Sequence, residues 1–217
     1  MKRKGILFTV TGALLLLAAV ALVLWNLHEN TRSQQLAGDA LSAILDEIPD
    51  PVQTTVTTAT TYKEDLFAPY ETTTTTLPPE DDFILVDDRA YIGVLEIPEL
   101  GLQLPVLRDW NKKNLKVAPC AYVGCSKNDT LIICGHNYNS HFGRLYTLKN
   151  GSELRFTDVN GNVRSYLVTY TDTIPGNDVP SMLSSAKGEW DLTLFTCTIG
   201  GQNRVTIRAV RNEYPPA

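Results

Sequence analysis

Three side chains have the types and settings that thioester chemistry needs. Cys197 ends an apolar run, Leu192-Thr-Leu-Phe-Thr-Cys197. His136 follows another, Leu131-Ile-Ile-Cys-Gly-His136, and Arg204 opens the last apolar segment seven positions after Cys197. A thiol is a weak nucleophile at its free pKa of about 8.5 and gains strength beside an imidazole that can hold its proton. A guanidinium keeps its charge and a fixed fork of donors, which suits holding a carbonyl and stabilising an oxyanion. Taken one at a time, each residue has an ordinary explanation: a small core residue, a turn residue and a solvated charge. Together they supply the parts for acyl transfer.

These groups must be positioned by strands. Segments 91–97, 102–107, 130–134, 153–157, 163–170, 191–196 and 204–210 are short and apolar or alternating, with Asp158-Val-Asn-Gly161 as a hairpin turn. Seven or eight such strands with short connections predict a mainly β fold, a barrel or a sandwich. Helical material is limited to 109–116, 142–148 and about 178–186. The connection 172–190 is long and enters the strand that carries Cys197. Its position makes it a candidate substrate wall, with Val179 and Met182 as apolar contacts, against the plainer reading of a connecting helix. Thr196 flanks the thiol and its side chain is expected on the opposite face. The Thr198 hydroxyl or backbone N–H is a candidate oxyanion donor.

The chain around this domain is uneven. Residues 6–25 form an uncharged run of twenty, about 30 Å as a helix, which matches the hydrocarbon thickness of a bilayer. Lys2, Arg3 and Lys4 precede it and predict a cytoplasmic N-terminus (1–5) and an external remainder. Trp25-Asn26-Leu27-His28 follows, without the small residues of a cleavage site, so an uncleaved anchor is favoured over a signal peptide. Residues 26–50 carry Leu36, Ala40, Leu41, Ile44, Leu45 and Ile48 at helical spacing, which reads as a juxtamembrane helix serving as a spacer. Residues 51–82 are rich in threonine and poor in apolar surface, which reads as a disordered linker. An acidic-aromatic island at 62–71, with Asp65-Leu66-Phe67, is either a lid or a sticky patch. Residues 83–217 are the folded domain.

The net charge of -5 argues against nucleic acid as a partner. Four cysteines are too few for a disulfide framework. The spacing of Cys120, Cys125, Cys134 and His136 is unlike that of common zinc sites, and no cofactor or metal is called for. A small Cys120–Cys125 disulfide loop is a competing use of two thiols.

The combination Thr193-Leu-Phe-Thr-Cys197 and Arg204-Val-Thr-Ile207 resembles the T-L-x-T-C and R-x-x-[VI] signature of the sortases, membrane-anchored cysteine transpeptidases of Gram-positive bacteria. Gly135-His136, Phe142, Leu145 and Gly151 follow the family's order, as do Ile92-Gly-Val-Leu-Glu-Ile-Pro98 and Leu104-Pro-Val106. The resemblance runs over about 86–211. It implies a closed eight-stranded barrel, Cys197 as nucleophile, His136 as acid and base, and Arg204 as the residue that positions the donor backbone. It further implies secreted proteins with a C-terminal LPxTG-like sorting signal as donors. The acceptor would be an amine of a cell-wall precursor or a pilin lysine, with water as a slower one. Subclass is left open: Tyr138-Asn-Ser-His-Phe142 looks like some class B members, and Asp65-Leu-Phe67 only loosely like a pilus-polymerase lid. A papain-like hydrolase predicts the reverse order of Cys and His. An inactive surface barrel would tolerate loss of any of the three.

Overall fold

The computed structural model describes residues 2–49, 80–183 and 188–213. A single helix, α1, runs Lys2–Glu47. After it come the strands β1 (Ile84–Val86), β2 (Arg89–Ile97), β3 (Leu102–Leu107), β4 (Cys120–Val123) and β5 (Leu131–Gly135). Then follow β6 (Glu153–Asp158), β7 (Val163–Pro175), the short helix α2 (Val179–Met182), β8 (Leu192–Cys197) and β9 (Asn203–Arg211). The strand order is β1-β2-β3-β4-β5-β8-β9-β7-β6, and β2 also pairs with β6. That pairing closes strands β2 to β9 into an eight-stranded barrel, with β1 as a hairpin extension on β2. The fold is mainly β with few helices, as the strand signals and the family resemblance imply.

Alternation along each strand builds two apolar layers. Leu95, Leu131, Ile133, Leu194, Ile207 and Ala209 belong to the cluster that fills the barrel. Their neighbours Val94, Ile132, Cys134 and Phe195 belong to a second cluster, on the outer face, which also contains Ala40 and Ile44 of α1. Burial on both faces explains why β5 reads as an unbroken apolar run rather than an alternating one. A bulge between Tyr91 and Gly93 resets the alternation in β2, where a Cβ on Gly93 would stand 2.1 Å from the Thr157 carbonyl oxygen of β6.

Several findings differ from the sequence expectation: β1 precedes the first expected strand, and β7 runs on to Pro175, into the expected connection 172–190. β4, Cys-Ala-Tyr-Val, lies outside the expected strands; its four residues are too few to give a long apolar signal. The stretch expected to be a free spacer is packed on the barrel: Ser33, Ala37, Ala40 and Ile44 are buried, and Leu41 and Ile48 pack against the outer cluster. Spacings of three and four put these residues on one face of α1, and the outer faces of β1, β2 and β3 supply the surface that face covers. The 62–71 island lies outside the described residues.

Candidate active site

Strand register assembles the three chemical groups. β8 pairs with β9 so that Cys197 lies directly opposite Arg204. β5 runs parallel to β8, with Gly135 beside Thr196, so His136, one residue on, emerges next to Cys197. Cys197 has the parity of Phe195, and His136 that of Cys134; both reference residues point outward. The thiol, the imidazole and the guanidinium therefore share the outer face at one end of three adjacent strands. Thr196 has the opposite parity, is buried, and donates its hydroxyl to the Gly135 carbonyl (2.8 Å), which ties the two strand ends together.

The loop carrying His136 is tightly folded. The Phe142 amide donates to the His136 carbonyl (3.1 Å), and the His141 and Gly143 amides both donate to the Tyr138 carbonyl (2.9 and 2.8 Å). The Phe142 ring lies where a Cβ on Gly135 would be, 2.5 Å from its nearest ring carbon, so only glycine fits before the histidine. Tyr138 packs against the His136 ring at 4.7 Å and against His141 at 5.7 Å. Burial holds the His136 imidazole below its ordinary pKa, with the Lys116 charge acting in the same direction and the Glu29 charge against it. The ring is thus biased toward its neutral, proton-accepting form.

Arg204 is held by the β8–β9 loop. Its Nη1 donates to the carbonyls of Gly201 (2.7 Å) and Asn203 (3.0 Å). Gly176, at the end of β7, faces the guanidinium so closely that a Cβ there would stand 2.9 Å from Nη1. The other thiols have different surroundings. Cys120 and Cys134 face each other across β4 and β5; burial pushes the first up to about 12 and the second up as well. Cys125 caps a 3-10 turn and donates to the Asp81 carboxylate (3.3 Å). All four cysteines are free, so Cys120 and Cys125 are not bridged. Cys197 is the one that is only partly covered.

Cys197 opens into a cleft of about 730 Å³. Thr196, Thr198, Ile199 and Val205 line it from the barrel, Tyr138, Gly143 and Tyr146 from the histidine loop, and Asn26, Leu27 and Asn30 from α1. Sequence reasoning did not connect the α1 residues to the site, although they continue the same helical spacing as the docked stripe. Three expectations about the periphery change. The Thr198 amide donates to the Asn203 carbonyl (3.0 Å) and its hydroxyl also bonds Asn203, so both serve the loop rather than an oxyanion. Met182 is buried in the outer core cluster, and Val179 is half exposed on α2; neither lines the cleft. Connection 172–190 meets the site through Gly176 and Arg204 instead.

A closed β-barrel presenting a cysteine, a histidine and an arginine at one strand end defines a cysteine enzyme of the acyl-transfer type. Residues 95–212, more than half of the chain, match the family model described as Sortase domain. The chain belongs to the sortase family, and its activity is that of a cysteine transpeptidase. Solved structures with the same fold include sortase A from Corynebacterium diphtheriae, with 20% identity, a TM-score of 0.50, and coverage of 59% of this chain and 63% of that one. A Clostridium perfringens sortase D5 transpeptidase shows 17% identity and a TM-score of 0.49 over 56% of this chain and 79% of that one. A C. perfringens sortase C with a C-terminal cell wall sorting motif shows 20% identity and a TM-score of 0.49 over 57% and 71%. Comparison with curated proteins gives no match. Sortases act on sorting signals at the cell surface, and α1 is long and apolar enough to cross a membrane once.

Proposed function

We propose that Cys197 is the nucleophile of this transpeptidase, His136 its acid and base, and Arg204 the residue that positions the donor. The donor is the LPxTG-like sorting signal of a secreted protein. Neutral His136 takes the Cys197 thiol proton as the sulfur bonds to the threonine carbonyl carbon; the Thr–Gly C–N bond then breaks and the imidazolium so formed gives that proton to the leaving amine. An acceptor amine, from a cell-wall precursor or a pilin lysine, then attacks the thioester; its proton returns to His136 and the thiolate leaves. The remaining Arg204 donors face the reacting carbonyl while Nη1 holds the loop. Lys2, Arg3 and Lys4 keep the N-terminus in the cytoplasm, residues 6–25 span the membrane, and the 83–217 domain works outside. The observation that carries this reading is the register pair Cys197–Arg204 beside His136 on one face.

The test is mass spectrometry of the full chain in detergent after exposure to a library of sorting peptides. The expected result is one acyl adduct, on Cys197, that an added amine removes. Cys197→Ala is expected to abolish adduct and cleavage while leaving the fold intact, and an active Cys197→Ala enzyme would sink the assignment. Arg204→Lys keeps the charge but loses the planar fork, with an expected loss of about 100-fold in kcat. Equal rates for the two side chains would reduce Arg204 to a general charge.

A further inference from the structure

The anchor helix reaches the catalytic cleft. The face of α1 that docks on the barrel repeats at Ser33, Ala37, Ala40 and Ile44. Continued toward the membrane by steps of three and four, the same face presents Asn30, Leu27 and Asn26. Beneath the first set lies the outer surface of the barrel. The second set instead lines the cleft together with Thr196, Cys197 and Tyr146. The boundary between the two sets is pinned. Glu29 pairs with Lys116 (3.0 Å), Asn30 Oδ1 accepts from the Ser140 hydroxyl (3.2 Å), and Ser33 donates to the Lys116 carbonyl (2.7 Å). Ser33 also bonds His141 Nε2 (3.2 Å). Every tie runs to the loop that carries His136 or to the residue whose charge acts on that ring.

Resting on the transpeptidase reading above, we propose that α1 is a wall of the donor site and that Leu27 and Asn30 are specificity-determining residues for the acyl-donor peptide. With its carbonyl oxygen taken by Ser140, Asn30 offers its Nδ2 donors to a peptide carbonyl. Leu27, more than half exposed, offers the apolar contact that a side chain of an extended peptide requires. The family match begins at residue 95, so this wall lies outside the part of the chain that matches the family model.

The experiment uses the full chain in detergent micelles and has two readouts. The first is the rate of Cys197 labelling by iodoacetamide and by a bulky biotin-maleimide, mapped by peptide mass spectrometry. Leu27→Trp is expected to slow the maleimide several-fold and leave iodoacetamide nearly unchanged. Ile44→Asp, which undocks the stripe, is expected to speed the maleimide. Unchanged maleimide rates in both variants would overturn the wall. The second readout is kcat/KM over a panel of sorting peptides. Leu27→Ala is expected to reorder the preference at one apolar peptide position by about tenfold, the scale of one lost pocket contact. Asn30→Asp keeps the acceptor for Ser140 but lacks the Nδ2 donors, and is expected to lose as much as Asn30→Ala. An unchanged ranking in an enzyme that cleaves peptides would overturn the specificity role. A wild type that labels at Cys197 yet cleaves no peptide would instead refute the transpeptidase donor, and the labelling rates alone would then decide the wall.

Discussion

The barrel interior and its outer layer are made of the same strands but differ in what closes them. Inside, Leu95, Ile133, Leu194 and Ile207 pack across a barrel closed through β2 and β6, and the domain's own connections, with Leu100, Phe142, Leu145 and Leu148, complete that layer. Outside, Val94, Ile132, Cys134 and Phe195 depend on elements added from elsewhere, above all on α1. At the end of β8 α1 no longer packs on the outer face but lines the cleft into which Cys197 opens. Stability thus resides in the layer that the barrel and its own connections close without α1. The candidate site lies in the outer layer, beside the cleft that α1 lines.

The first way to break this comparison is to hollow each layer. Leu194 is fully buried inside, and Leu194→Ala is expected to cost about 4 kcal/mol because the closed barrel cannot collapse onto the void. Denaturant unfolding followed by circular dichroism measures it, and the whole sheet is expected to unfold in one transition. A loss confined to one edge of the sheet would contradict a self-sufficient inner layer.

Acid is expected to act on the outer layer next. His141 is fully buried, and its Nε2 lies 3.2 Å from Ser33 Oγ. Because the Ser33 hydroxyl proton goes to the Lys116 carbonyl, the imidazole must donate from Nε2, which leaves Nδ1 unprotonated and, among the described residues, without a partner. Burial, aided by the His136 charge, lowers the His141 pKa to about 4 from 6.5. Above pH 6.5 this ring is neutral in both folded and unfolded chains. Between 6.5 and 4 the unfolded chain binds the extra proton, so stability falls with pH, by about 3 kcal/mol at most by the time pH 4 is reached. His141→Gln is expected to flatten the pH dependence of stability in that window. An unchanged slope would show that His141 titrates normally.

Third in size is Ile44→Ala on α1, expected to cost about 2 kcal/mol, less than the inner substitution because a helix on a surface can settle into the gap. Amide exchange is expected to quicken along the docked half of α1 and to stay slow in β5 and β8. Equal acceleration in those strands would mean that the two layers unfold as one.

The same division explains what the amino-acid order revealed. Strands β2, β3, β5, β6, β7, β8 and β9 were legible because inner-layer alternation and outer burial write apolar residues into them, although β7 extends past its expected end at 170. The placement of His136, Cys197 and Arg204 at strand ends was legible because each borders such a run, and the β5–β8–β9 register sets those ends side by side. The docking of α1 was not. Ser33, Ala37 and Ala40 are small, and small residues on a helix mark close approach without naming the surface approached. The cleft role of Leu27 and Asn30 depends on that docking and was hidden with it. The expected contact at Met182 failed for the converse reason, since an apolar residue in a loop is as readily core as groove.

The smallest effect is electrostatic and concerns the ion pair between α1 and the barrel beside His136. Glu29 of α1 and Lys116 of the barrel pair with each other, and their charges pull the His136 imidazole in opposite directions. Glu29→Gln removes the charge that favours the imidazolium, so the His136 pKa is expected to fall further. Lys116→Met removes the opposing charge and is expected to raise it. A titration of the three histidine rings by NMR separates His136 from His28 and His141. Added salt should shrink both shifts, because the Lys116 side chain is more than half exposed. Shifts of opposite sign would show that α1 tunes the ring as well as covering it. Shifts of the same sign, or none from Glu29→Gln, would reduce the contact to packing and leave the ring to burial alone.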